Sequence, residues 1–116
     1  MKIGYARTST IEQQAGFDAQ MRDLEAAGCE KVFSEQVSSI GQREQLEAAL
    51  DFVRSRDTLA VTKLDRLARS TADLLKIEEQ LRAKGAALLV LDLDLDTSSA
   101  TGKLLFTMVA AIGAFE

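Results

Sequence analysis

TLAVTKLDRLARSTADLLKIEEQLRAKGAALLVL, residues 58–91, sets two short apolar runs on either side of one amphipathic segment. Thr58 to Thr62 carries no charge, the pattern of a strand buried on both faces. Leu74, Ile77 and Leu81 then recur at spacings of three and four, which makes one apolar helix face. Ser70, three residues before Asp73, resembles a capping box in which Asp replaces the usual Glu or Gln. Gly85 ends the helix, and Ala86 to Leu91 forms the second buried strand. A strand, a helix and a strand in that order require a crossover connection, hence parallel pairing.

The same grammar extends upstream. Lys2 to Ala6 reads as a strand running into a turn at Arg7–Thr10. Phe17, Met21 and Leu24 mark a helix closed by Gly28, and Lys31 to Ser34 a second strand. Glu35 to Gln42 is polar and reads as a mobile loop. Leu46, Leu50 and Val53 mark another helix, ending with Arg54 and Arg56 where cations suit the helix dipole. With no internal repeat and no linker, the 116 residues predict one α/β domain with a mainly parallel central sheet covered by helices.

Two acidic or apolar stretches stand apart. Asp92, Asp94 and Asp96 alternate with leucines, so on a strand their carboxylates share one side. That side suits a hard cation or, as the favoured reading, the wet face of an edge strand. From Thr101 to Phe115 nearly every position except Lys103 and Thr107 is apolar or small. Such a helix is either buried centrally or docked on a partner chain.

Composition limits the function classes. Apolar residues make up 47% and charged residues 28%, as expected of a globular protein. LLFTMVAAIGAF is well short of the ~20 residues a membrane span needs, and MKIGYARTST has no signal-peptide core. Cys29 is the one cysteine, so no internal disulfide forms; a reducing, cytoplasmic setting and no membrane partner are expected. The net charge of −4 argues against nonspecific nucleic-acid binding unless cations gather at one edge.

They do gather. Ligands of open α/β sheets bind beyond the carboxyl ends of the strands. Arg7 and Ser9 follow the first strand, and Lys63, Asp65, Arg66 and Arg69 follow the third. Arg66 and Arg69 share a face if their turn is helical, and Arg43, after the polar loop, lies within reach of the same rim. The chain has no histidine, so Ser9 in GYARTST (residues 4–10) has no Ser-His-Asp triad available. Guanidiniums grip phosphate oxygens bidentately and favour an alkoxide, which suits a serine attacking phosphorus. RxS alone carries almost no information as a motif, and KLDRLAR alone also fits a solvated helix start. Gln13 and Gln20 fit either a site or a helix surface.

With these residues assembled, the chain resembles the catalytic domain of the serine site-specific recombinases, the resolvase and DNA invertase family. The matching stretches are IGYARTST, Glu12–Gln13, Gln20, AGCEKVFSE, KLDRLARST and DTSSATGKLLF, in family order and over nearly the whole chain. The resemblance implies that Ser9 is the nucleophile, attacking a DNA phosphodiester to leave a 5′-phosphoserine link and a free 3′-hydroxyl. Arg7, Arg66 and Arg69 match the family's phosphate-binding arginines, Arg43 the arginine that follows its mobile loop, and Asp65 its active-site acid, which either orients the arginines or donates a proton. Gln13, Gln20 and Ser38 match polar residues lining the site, with Lys63 beside them. At the loop positions where the family carries glycine and an acid, this chain has Ser39 and Gln42.

The resemblance implies no metal or other cofactor. It implies DNA as substrate, and a homodimer and synaptic homotetramer formed through the apolar C-terminal helix. It further implies that residues 1–116 are the catalytic domain, that its long helix would run on past Glu116, and that a helix-turn-helix domain lies outside this chain. The alternative from another class is a noncatalytic α/β module whose arginines bind an anion or an acidic partner. A receiver-like domain would need clustered acids at the strand ends, where this chain has Arg7 and Lys63–Asp65.

Overall fold

The computed structural model describes residues 1–8, 14–36 and 43–112, with backbone only for residues 14 and 15. A five-stranded sheet runs β2-β1-β3-β4-β5, built from β1 (Lys2–Thr8), β2 (Lys31–Gln36), β3 (Thr58–Val61), β4 (Ala87–Val90) and β5 (Leu95–Asp96). The first four strands are parallel, and β5 pairs antiparallel with β4. The helices are α1 (Gln14–Ala26), α2 (Glu44–Phe52), α3 (Thr71–Ala83) and α4 (Ala100–Ile112). This is the single, mainly parallel α/β domain that the strand and helix periodicities predict.

The chain order explains the layering. From β1 the chain steps to β2 on one side, then crosses back over β1 to β3 and onward to β4. With right-handed crossovers, that reversal moves the connecting helices to the other face. Accordingly α1 covers one face, where Phe17, Met21 and Leu24 pack on Ala6, Val32 and Ala60. The other face carries Leu46 and Ala49 of α2, Leu74, Ile77 and Leu81 of α3, and Phe106 and Ala110 of α4 over Ile3, Tyr5, Leu59 and Leu88. Each fully buried leucine here is worth about 1.5–3 kcal/mol of burial.

Helix ends follow local chemistry. Gly28, at φ 94°, closes α1 as its Schellman residue: Gly28 N–H donates to Glu25 O and Cys29 N–H to Leu24 O, at 3.0 and 3.1 Å. The helix before Arg54 and Arg56 stops at Phe52, short of both arginines. Its last carbonyls receive Lys84 Nζ instead, through Leu50 O and, at 3.3 Å, Val53 O. The cation that suits this dipole therefore comes from the end of α3, which no local pattern shows.

Three expectations are corrected. The first strand does not turn at Arg7, because pairing with β2 continues through Arg7↔Glu35 and Thr8↔Gln36. By the same pairing, Glu35 and Gln36 belong to β2 rather than to the loop; residues 37–42 of that loop lie outside the described residues. The LDLDLD run is no strand. Leu91–Leu93 is a 3-10 turn and Asp94 is left-handed at φ 48°, a conformation Asp tolerates, so β5 is only Leu95–Asp96. The three carboxylates thus share no face, and Asp96 Oδ1 accepts from Ser98 N–H at 2.9 Å. Among the described residues no cluster of metal-ligating side chains exists.

The apolar C-terminal helix buries a narrow stripe, Gly102, Phe106 and Ala110, at i, i+4 and i+8. Its opposite side leaves Leu104 62%, Met108 52% and Ile112 73% exposed. The helix is thus docked on its own domain by one side only; positions 113–116 lie outside the described residues.

Gly102 sets that docking distance: a Cβ there would lie 1.7 Å from the backbone oxygen of Asp96. Gly102→Ala is expected to destabilise the domain by about 3 kcal/mol or more in urea unfolding, because backbone must move. The exposed neighbour Thr101→Ala should change stability by less than about 0.5 kcal/mol.

Candidate active site

Sheet topology creates the site. Pairing of β1 with β3 covers only Lys2–Gly4 against Thr58–Ala60, so the two strands part beyond that point. This lies where strand order reverses, the position at which open α/β sheets hold ligands. The gap is bridged by the segment after β3, a 3-10 turn at Leu64–Arg66. Arg7 Nη2 donates to Asp65 O across it, and Arg66 Nη1 returns a 3.3 Å bond to Arg7 O. Arg66 is therefore anchored on the backbone of Arg7, and Arg7 on that of Asp65 in the same turn.

Gln20, on α1, holds the strand end from the other face. Its Oε1 accepts from Arg7 N–H at 3.2 Å and its Nε2 donates to Arg7 O at 3.1 Å. At 5% exposure it is buried against the backbone of Arg7. Lys63 and Asp65 are exposed on the turn, and Arg69 is exposed just beyond it. Leu67 ends the turn, so Arg66 and Arg69 do not share one regular helical turn. Ser9, Gln13 and Ser38 lie outside the described residues.

The cations converge all the same. Arg7 is held below its ordinary pKa, chiefly by burial and further by the positive charges of Arg43, Arg69 and Arg66. A guanidinium stays protonated at neutral pH regardless. Four guanidiniums thus share one field at the end of β1.

Carboxylates that sequence reasoning did not single out as site residues organise the surroundings. Glu35 accepts Tyr5 O–H at 2.5 Å and the amides of Gln45 and Leu46 at 3.2 Å, tying the start of α2 to the sheet. Burial first, then this hydrogen bond to Glu35, pushes the Tyr5 phenol far up. Half of the capping box forms: Ser70 is the N-cap, but the Asp73 carboxylate has other partners. Ser70 Oγ accepts from Asp73 N–H at 3.1 Å, but the Asp73 carboxylate takes Arg43 in a two-pronged salt bridge of 2.7 and 2.9 Å. The one available signal was the Asp itself in place of the Glu or Gln of that motif.

The sequence pattern of the family described as "Resolvase, N terminal domain" matches residues 2–116. The chain belongs to the resolvase family. Among its resolvase-family relatives, "Integrase-like protein y4lS" of Sinorhizobium fredii is 44% identical over 99% of this chain and 63% of its own length. "Transposon Tn552 DNA-invertase BinR" of Staphylococcus aureus is 43% identical over 100% of this chain and 61% of its own. The chain therefore spans about three-fifths of these curated relatives. The crystal structure of the N-terminal catalytic domain of TP901-1 integrase superposes with a TM-score of 0.76 at 28% identity, covering 99% of this chain and 95% of that one. The resolvase fold and family that the two arginine motifs implied are both found.

Asp73 gives this site an acid-sensitive element. Burial raises its pKa, but hydrogen bonds from Arg43 and from Arg69 N–H outweigh that and leave it below the usual carboxylate range. The unfolded chain then binds the proton more readily, so this stabilisation is complete above an ordinary Asp pKa of ~3.9 and is lost as pH falls through the depressed folded value. Urea unfolding of wild type should show this acid loss as pH falls below about 4, and Asp73→Asn should flatten it. Equal acid slopes for the two proteins would contradict the assignment.

Proposed function

We propose that the chain is the catalytic domain of a serine recombinase that cuts and rejoins DNA through Ser9. The observation that carries this reading is the convergence of Arg7, Arg43, Arg66 and Arg69 on the end of β1, one residue before Ser9 in sequence. Relatives named DNA-invertase and resolvase support DNA as the substrate.

Under this reading the Ser9 oxygen attacks the phosphorus in line. A bond forms from Ser9 Oγ to phosphorus, and the bond from phosphorus to the 3′ oxygen breaks. The serine proton leaves to solvent, favoured by the cationic surroundings in place of a histidine base. Arg7, Arg66 and Arg69 stabilise the charge that builds on the non-bridging oxygens, and Asp65 serves as acid toward the departing 3′ oxygen. Rejoining reverses the step with a new 3′-hydroxyl. Lys63 attracts the DNA backbone, while Gln13 and Ser38 line the phosphate, and Gln20 holds Arg7 in place. Sequence recognition falls to a helix-turn-helix domain outside residues 1–116, and the working compartment is the cytoplasm. Among the described residues no helix is long and apolar enough to cross a membrane.

The test joins this chain to a DNA-binding domain of known specificity and supplies DNA with paired sites. A covalent adduct surviving denaturation, mapped to Ser9 and the 5′ phosphate and absent in Ser9→Ala, is expected. Arg66→Lys should lower its rate by about a hundredfold or more, since a bidentate donor is lost. Absence of adduct despite confirmed DNA binding would leave the noncatalytic, anion-binding module as the function.

The exposed side of α4 is the proposed surface for dimer and synaptic tetramer formation. Leu104, Leu105, Met108 and Ile112 line it, an unusual concentration of exposed apolar residues on one helix. Sedimentation velocity should show self-association of the chain that Leu104→Glu combined with Ile112→Glu abolishes. A monomer at all concentrations would remove α4 as the interface.

A further inference from the structure

The site arginines are set on segments far apart in sequence, and one carboxylate connects two of those segments. Asp73 occupies the third position of α3, with its own N–H bonded to the N-cap hydroxyl of Ser70. Its Oδ2 accepts Arg69 N–H at 3.0 Å, so the carboxylate is fixed on the start of the helix. Arg43 supplies the other half of the pair: a long side chain just ahead of α2, with no side-chain capping bond of its own. Its Nη1 donates to Asp73 Oδ2 at 2.7 Å and to Leu67 O at 3.0 Å, and its Nη2 donates to Asp73 Oδ1 at 2.9 Å.

We propose that Asp73 is a positioning residue: it holds the Arg43 guanidinium in place beside Arg7 and Arg69, ready to receive a phosphate. This rests on the phosphate-directed reading of the site. The bonds to Asp73 and Leu67 engage three of the five N–H donors of a guanidinium and leave Nε outside them. An unheld arginine carries about 2 kcal/mol of side-chain entropy that binding must remove, and the fork on Asp73 removes it beforehand. The carboxylate also offsets part of the repulsion among clustered cations. Asp73, Glu35 and Asp65 against Arg7, Arg43, Lys63, Arg66 and Arg69 still leave the field positive. Glu35 and Tyr5, which also face Arg43, hold the start of α2 rather than the guanidinium's fork.

The rival role for the same contact is competition, with the carboxylate occupying the fork that a phosphate would take. The two roles have opposite signs. Removing a positioning residue weakens anion binding, whereas removing a competitor strengthens it.

The experiment uses the chain itself with inorganic phosphate as the probe, read by NMR at the arginine Nε–Hε signals. Wild type, Asp73→Asn, Arg43→Lys and the double variant are compared, with amide spectra confirming the fold. In the absence of phosphate, the Arg43 signal should show restricted motion in wild type and free motion in Asp73→Asn. Phosphate affinity should fall about tenfold in Asp73→Asn, the scale of one lost charge-assisted contact. In the Arg43→Lys background the same change should cost less than about twofold, because the residue being positioned is gone. Tighter binding in Asp73→Asn, or an equal loss in both backgrounds, overturns the proposal. Should Asp73→Asn fail to fold, Asp73→Glu displaces the carboxylate by one methylene while keeping its charge. A loss of affinity there supports the proposal and unchanged affinity overturns it. Failure of wild type to bind phosphate at all would overturn the phosphate reading together with this inference. Phosphate binding indifferent to Asp73 would overturn the inference alone.

Discussion

The parting of β1 from β3 is the constraint on which the rest depends. Pairing stops after Gly4 and Ala60, while β1 runs on alongside β2 as far as Thr8. The last residues of β1 therefore have one hydrogen-bonded neighbour strand and one open side. Backbone groups so exposed need partners. Gln20 supplies an amide to the backbone of Arg7, and Arg66 supplies a guanidinium to its carbonyl. Satisfying a strand end and assembling a cationic site are here the same act.

That economy explains how like charges come to be gathered. Guanidiniums close together repel, and burial further penalises Arg7. The chain offsets this with acceptors that carry no full charge of their own, the carbonyls of Asp65, Arg7 and Leu67, and with carboxylates, chiefly Asp73 and more weakly Glu35. Carbonyls steady the arginines without cancelling their charge, so the field needed to attract an anion survives. The acidic net charge of the whole chain is compatible with this, because the field at the β1 end is local.

At the other end of the chain, α4 shows how little surface is needed to dock a helix. Gly102 lets its first turn approach Asp96 closely, and Phe106 and Ala110, flanked by the half-buried Val109, complete a narrow strip. Leu104, Met108 and Ile112 are left outside the core. Apolar on nearly all sides, the helix read from sequence as either buried or shared; it is held by its own domain on one flank and open on the other.

The sequence by itself determined the element order, the parallel sheet and the family. Those follow from local periodicity and from two arginine motifs whose residues lie close together in the chain. It also marked the rim on which Arg7, Arg43, Arg66 and Arg69 meet, because strand ends are readable from apolar runs. Strand ends were less exact: Arg7 and Glu35 belong to strands since each extends the other's pairing, a property of two segments together. Only the tertiary structure assigned Asp73 to Arg43, Glu35 to Tyr5 and the start of α2, and Lys84 to the carbonyls at its end. It alone dissolved the LDLDLD strand into a turn. Each of these partnerships joins residues distant in sequence, and periodicity carries no information about a contact whose two halves come from different elements.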